Sequence, residues 1–361
     1  MIISSAAPDN IAACARSISS GELIAFPTET VYGLGADASS DAAVAKIFAA
    51  KGRPADHPLI VHVHSAQQVG HFASDVPAFA QVLIDAFWPG PLTVILQRRA
   101  NVATASAGGQ ASIGLRCPSH PVALQLLQEC AALGVQGLAA PSANQFGKVS
   151  PTTAQHVHSE LGDAITVLDG GACTVGIESC IIDCSRGAPV LLRPGVLDVA
   201  QINAALSSIA GCKLLSNDEL LTQHFRVLQA DLAGKLAPES ATAAQQAHLH
   251  AAPKASGTLE SHYAPNARVR LMDAKALQTA LDLLGEDAAH MAVYSRAIVA
   301  SKSSRIIRRR MPDDALATAQ QLFAVLRQFD EQKVKLIWVE TPPPGSDWDG
   351  VRDRLQRAAA H

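Results

Sequence analysis

Between Leu23 and Ala38 the chain reads Leu-Ile-Ala-Phe-Pro-Thr-Glu-Thr-Val-Tyr-Gly-Leu-Gly-Ala-Asp-Ala. Leu23 to Phe26 is short and wholly apolar, which predicts a buried strand. Pro27 ends it. Thr28, Glu29 and Thr30 then stand where the strand opens into a loop, the position at which open α/β sheets bind ligands. Gly33 and Gly35 permit a turn or a close backbone approach. An amphipathic segment follows from Asp41 to Lys51, with Ser39, Ser40 or Asp41 as N-cap. Gly33-Leu-Gly35-Ala-Asp-Ala38 fits the Gly-x-Gly-x-x-Ala pattern of dinucleotide loops. Its glycines do not follow the strand directly, however, and this disfavours that reading.

The chain has 361 residues, enough for two domains with their own cores. With 17% charged and 48% hydrophobic residues it is a globular composition, not a disordered one. A formal net charge of −3 argues against general coating of nucleic acid, while leaving room for a local basic groove. The seven cysteines include no Cys-x-x-Cys pair, the pattern of reduced thiols in a cytoplasmic protein. The N-terminus lacks a basic, apolar leader, and no apolar stretch has bilayer-spanning length.

Alternation along the chain predicts an irregular mixture of strands and helices up to about Asp198, as in an α/β domain with a mixed sheet. Strands are expected at Leu59–Val63, Leu92–Leu96, Ser112–Leu115, Gly137–Ala140, Ile165–Leu168, Cys180–Asp183 and Val190–Leu192, with helices at Ile11–Ser20 and Ala78–Phe87. Residues 229–255 are rich in Ala and Gln, as in a linker. From Ala267 strands alternate with helices, ending in a helix from Trp348 to Ala359, which predicts a small three-layer parallel domain. The expected division is a catalytic domain over 1–205, a linker over 206–266 and a Rossmann-like domain over 267–361. Arg305 and Arg308 to Arg310 form a basic cluster of the kind that is usually a solvated face.

Four clusters carry polar chemistry. They are Thr28-Glu-Thr30; Lys51-Gly-Arg53; Ala140-Pro-Ser-Ala-Asn144 with Lys148 and Ser150; and Gly176-Ile-Glu-Ser179 with Arg193-Pro-Gly195. Lys51 and Arg53, held over a pocket, would neutralise phosphate oxygens, Arg through its fork and Lys as a point charge. Gly147-Lys148 is not a Walker loop, since it lacks the preceding glycine and a following Ser or Thr.

Phe26-Pro-Thr-Glu-Thr-Val-Tyr-Gly-Leu-Gly35, Lys51-Gly-Arg-Pro54, Phe87-Trp-Pro-Gly-Pro91, Ala140-Pro-Ser-Ala-Asn144 and Gly176-Ile-Glu-Ser179 occur in this order. Together they resemble the YrdC-type threonylcarbamoyl-AMP synthases over about residues 8–200. His262-Tyr-Ala-Pro265 and the region after it resemble the long, two-domain form. The resemblance implies a twisted YrdC-like mixed sheet with a basic concavity. It implies a nucleotidyltransferase that makes threonylcarbamoyl-AMP and pyrophosphate from L-threonine, bicarbonate and ATP, with Mg²⁺, in the cytoplasm. The product would serve N6-threonylcarbamoyladenosine modification of tRNA through downstream transfer proteins, with possible direct RNA contact.

By the same resemblance, Thr30, His62, Arg116, Ala140 and Ser179 would contact threonine. Arg53, His57, Ser112, Ser142, Ser150 and Arg193 would hold ATP, with Tyr263 reaching back over the nucleotide as a lid. Lys51, Arg53, Ser142 and Asn144 match the catalytic Lys-x-Arg and Ser-x-Asn signature. No metal-ligating residue is assigned. The chain departs from the family at Cys180, where Thr is common, at His57, where Asn is frequent, and in the run Ser256–His262. A carbamoyltransferase is an alternative reading, but the Cys-pair signatures of those larger enzymes are absent. A non-catalytic RNA-binding module is another; it predicts RNA affinity without pyrophosphate release.

Overall fold

The computed structural model describes residues 1–222, 252–259 and 261–360. Most of the Ala- and Gln-rich stretch over 229–255 lies outside them. The described chain builds two sheets. The larger comprises β1 (Ile2–Ser4), β2 (Ile24–Phe26), β3 (Gly33–Asp37), β4 (Ile60–His62), β5 (Leu92–Gln97), β6 (Ser112–Arg116), β7 (Leu138–Ala139), β8 (Thr166–Asp169), β9 (Cys180–Asp183) and β10 (Val190–Arg193). Their order is β1-β8-β2-β3-β7-β4-β6-β5-β9-β10, with parallel and antiparallel neighbours mixed. The smaller sheet orders β11 (Arg268–Met272), β14 (Leu336–Glu340), β12 (Met291–Ser295) and β13 (Ile307–Arg310), all parallel.

Gly33 to Asp37, expected as a turning loop, is a strand paired antiparallel to β2. The glycines serve close approach instead. A Cβ on Gly35 would lie 2.7 Å from the Phe26 ring, so the ring occupies the space a side chain would need. The helix that follows, Asp41–Lys51, is capped by Ser40, whose side chain accepts from Ala43 N. Strands β1 and β13 carried no clear signal. β1 is only three residues long, and β13 holds Arg308 to Arg310 on an exposed edge, where charge blunts unwanted pairing.

Helices cover both faces of the large sheet. Ile11, Ile18, Leu126 and Leu127 pack against Phe26 and Leu168 on one side. On the other, Val44, Ile47, Leu83 and Ile84 pack with Leu34, Val61 and Leu115. The small sheet is likewise sandwiched. Leu277 and Leu281 meet Met291 and Val293 on one face, and Leu322, Phe323, Phe329 and Leu355 meet Val269, Ala292 and Ile337 on the other. This second core also takes in Val31, Val149 and Ile177 from loops of the large sheet. The two sheets therefore share apolar packing beside the Thr28–Val31 loop. Among the described residues no helix is long and apolar enough to cross a membrane.

Candidate active site

The loop after β2 is held rigid by its own threonines. Thr28 Oγ1 donates to Val31 O at 2.6 Å, lies 2.9 Å from Thr30 Oγ1, and accepts from the Val31 amide at 3.2 Å. Val175 N and Gly176 N donate to Glu29 O and Thr30 O, tying this loop to the Gly176–Ser179 segment. On its other side, Leu34 N donates to Pro141 O and Ala143 N to Tyr32 O, which brings Ala140-Pro-Ser142 alongside.

These loops wall a cleft. Of the candidate residues, Thr30, Arg53, His62, Arg116, Ala140, Ser142, Ser179, Arg193 and Tyr263 line it. Ser112 lines an adjoining hollow with Thr93, Gly114 and Ser256. His57 stands beside the cleft, edge-on to Phe146. Lys51, Asn144 and Ser150 do not line it and act from behind.

At one end, Arg116 is buried and donates to Thr30 Oγ1 at 2.8 Å, with Glu29 Oε1 2.7 Å from its Nη2. His62 is buried beside it with no partner for Nδ1 among the described residues, and its imidazole is pushed down to about 3, first by burial and then by the Arg116 charge. A neutral ring with a free polar atom suits a ligand's amine or hydroxyl. Ser179 Oγ is 2.8 Å from Thr93 Oγ1.

At the other end, Arg193 donates through Nη2 to Ser179 O at 2.9 Å and through Nη1 to Ser256 O at 2.8 Å. Arg53 donates to Pro58 O at 2.9 Å and to Ser256 Oγ at 3.3 Å. Burial first, and the nearby Arg193 charge after it, bring Arg53 down to about 10. Among the described residues neither guanidinium forms an ion pair, and two such groups together suit a polyanion.

Lys51 is wholly buried. Its ammonium donates to Ser142 O at 2.5 Å and to Asn144 O, and burial brings it down to about 7. Asn144 Nδ2 donates to Gln145 O at 2.7 Å and Lys148 O at 2.9 Å. Both residues therefore shape the loop that presents Ser142.

The described residues 254–259 and 261–265 cross the cleft, and Ser256, Gly257, His262 and Tyr263 line it. Lys254 pairs with Asp56 at 2.6 Å, and its backbone N donates to Gln110 at 2.8 Å. Tyr263 is buried in a left-handed conformation, φ 60°, stacked on Phe323 at 5.5 Å with Arg354 5.3 Å over its ring. It thus faces the cleft and anchors the second sheet's core together. Glu178 and His262 also line the cleft. Sequence reasoning assigned them no role, although both sat inside quoted motifs. Glu29 escaped assignment as well, because only the fold sets it against Arg116.

Residues 16–195 match the family profile described as Telomere recombination, that of Sua5, YciO and YrdC. Residues 219–360 match the profile described as Threonylcarbamoyl-AMP synthase, C-terminal domain. A threonylcarbamoyl-AMP synthase of Bacillus subtilis is 33% identical over 357 residues, covering 97% of this chain and 92% of that relative. The chain belongs to the threonylcarbamoyl-AMP synthase family. A member from Pyrococcus abyssi is 46% identical over 193 residues, which span 53% of this chain and 56% of the relative's length. The crystal structure of P. abyssi Sua5 complexed with L-threonine superposes with a TM-score of 0.80 at 32% identity, covering 99% of this chain and 97% of that one. The family match bears out the enzyme reading and the two-sheet α/β architecture expected from the motifs.

Proposed function

We propose that this chain is an L-threonylcarbamoyladenylate synthase, a nucleotidyltransferase that consumes L-threonine, bicarbonate and ATP and releases pyrophosphate. The observation that carries the reading is the cleft's division. A buried guanidinium flanked by hydroxyls stands at one end, and a pair of guanidiniums stands at the other. The first suits an amino-acid carboxylate and the second a triphosphate.

In this reading Arg116 takes the threonine carboxylate. Thr30, Ser179 and neutral His62 take its hydroxyl and amine, and Ala140 bounds the methyl. The neutral ring beside the amine favours the unprotonated form that attacks the bicarbonate carbon, whose hydroxyl leaves as water with a proton from the amine. The resulting carbamate attacks the α-phosphate and pyrophosphate leaves. Charge accumulating on the phosphate oxygens is met by Arg53 and Arg193, which exchange their Ser256 bonds for phosphate. Ser142 presents its hydroxyl from a loop held by Lys51 and Asn144. Ser112 and His57 border the nucleotide, and Ser150 acts through Glu178. Tyr263 and the crossing segment exclude water. Among the described residues no group of three or more His, Cys, Asp or Glu could hold a metal ion. Magnesium would arrive on the triphosphate oxygens. The product would pass to proteins that modify tRNA.

Pyrophosphate release, measured with threonine, bicarbonate and ATP and then with each omitted, tests the proposal. Release that needs all three supports it; equal release without threonine refutes it.

A further inference from the structure

Arg354 sits on the last helix, Asp349–Ala359, which packs on the small sheet. It is fully buried, and its guanidinium reaches across to Glu178 in the cleft wall of the large sheet. Nε donates to Glu178 Oε2 at 2.8 Å, Nη2 to Glu178 O at 3.0 Å, and Nη1 to Pro194 O at 2.9 Å, while Asp353 Oδ2 lies 2.8 Å from Nη1. The other carboxylate oxygen of Glu178 accepts from Ser150 Oγ. Both oxygens of this cleft-lining carboxylate are thus occupied. Arg193 lines the same cleft, donates to the carbonyl of the adjacent Ser179, and its charge already acts on Glu178. Burial alone would raise the Glu178 carboxyl. Arg354 first, Arg193 second, and the Ser150 bond outweigh burial and hold it below the ordinary value.

We propose that Arg354 is a positioning residue for the nucleotide end of the cleft: by engaging Glu178 it keeps that carboxylate off Arg193 and leaves the Arg193 guanidinium for polyphosphate. The second sheet and its helices would then complete the active site rather than merely adjoin it. Without Arg354, a buried carboxylate must find another cation, because an unpaired buried charge is the costliest alternative. Arg193, in the wall of the same cleft, is a cation that could take its place. The inference rests on the polyphosphate reading of that end of the cleft.

A simple clamp between the two halves makes different predictions. Losing a clamp weakens both ligands and the fold together. Losing a positioning residue weakens the nucleotide alone, and neutralising Glu178 relieves the defect. The test is calorimetric binding of a non-hydrolysable ATP analogue, and separately of threonine, to full-length wild type, Arg354→Met, Arg354→Lys, and Arg354→Met combined with Glu178→Gln. Removing one charge-assisted contact predicts a loss of roughly 10–150-fold in analogue affinity for Arg354→Met. Threonine affinity should stay at its wild-type value. Arg354→Lys, which keeps charge but not the fork, should fall between wild type and Arg354→Met. The double variant should recover most of the loss, giving a favourable coupling term.

Equal loss of both ligands, an unchanged analogue affinity, or a double variant no better than the single one overturns the proposal. If Arg354→Met does not fold, Arg354→Lys and the double variant decide the question. Wild type that binds the analogue in an Arg354-dependent way but releases no pyrophosphate overturns the synthase reading and leaves this one standing. Wild type that does not bind the analogue overturns both.

Discussion

Replacing Arg116 with Lys should weaken threonine binding sharply while leaving the fold and the nucleotide end intact. Arg116 is buried against Glu29 at 2.7 Å and Thr30 at 2.8 Å. Arg116→Ala would strand the Glu29 carboxylate without its cation, a cost of about 3–5 kcal/mol in stability that would blur any binding result. Lys keeps a positive charge beside Glu29 but offers one ammonium in place of a planar fork. It can satisfy Glu29 or meet a ligand carboxylate with good geometry, not both. Losing one charge-assisted hydrogen bond to the ligand is worth about 1.5–3 kcal/mol, or roughly a 10–150-fold rise in threonine Kd. Calorimetry with threonine in the absence of nucleotide measures this directly, and urea unfolding shows whether the variant remains folded. A folded Arg116→Lys chain with wild-type threonine Kd refutes the carboxylate assignment. Equal weakening of an ATP analogue refutes the division of the cleft.

Two further outcomes follow from burial. The imidazole of His62 lies at about 3 in the folded chain against an ordinary 6.5, so the unfolded chain alone binds its proton between those values. Its contribution is complete above about pH 6.5 and is lost as pH falls towards about 3; His62→Gln should therefore flatten the acid-side slope of unfolding free energy by roughly 1.4 kcal/mol per pH unit, and an identical slope in urea titrations refutes this. Tyr263 stacks on Phe323 and is buried, so Tyr263→Ala should lose about 3–5 kcal/mol of stability while Tyr263→Phe stays close to wild type. An alanine variant as stable as wild type would mean the ring is no part of the shared core.

Hydrophobic pattern was enough to locate most of the strands and helices. Apolar runs such as Leu92–Leu96 and Cys180–Asp183 had one stable home, the interior of a covered sheet. The helix Asp41–Lys51 was legible at its start because Ser40 supplies the cap locally. Gly33 to Asp37 misled because two glycines look alike in a turn and in a strand crossed by a ring. Only the position of Phe26 distinguishes them.

The chemistry of the cleft was legible as residue types. Thr30, Arg53, Ser142 and Arg193 belong to short motifs whose polarity has no use in a core, and Arg116 was named through the family resemblance. Sequence by itself therefore determined the fold class, the family and the set of groups available to a ligand. Tertiary structure alone decided which of them face the cleft. Lys51 turns behind the Ser142 loop, because its backbone carbonyls are the acceptors within reach of a buried ammonium. Arg354, one of three arginines on a polar helix, carries no local sign of its role. Its partner Glu178 is 176 residues away, and it becomes part of the site only when the cores of the two halves join. Burial and charge pairing between segments so distant are properties of the packed chain, and local sequence contains neither.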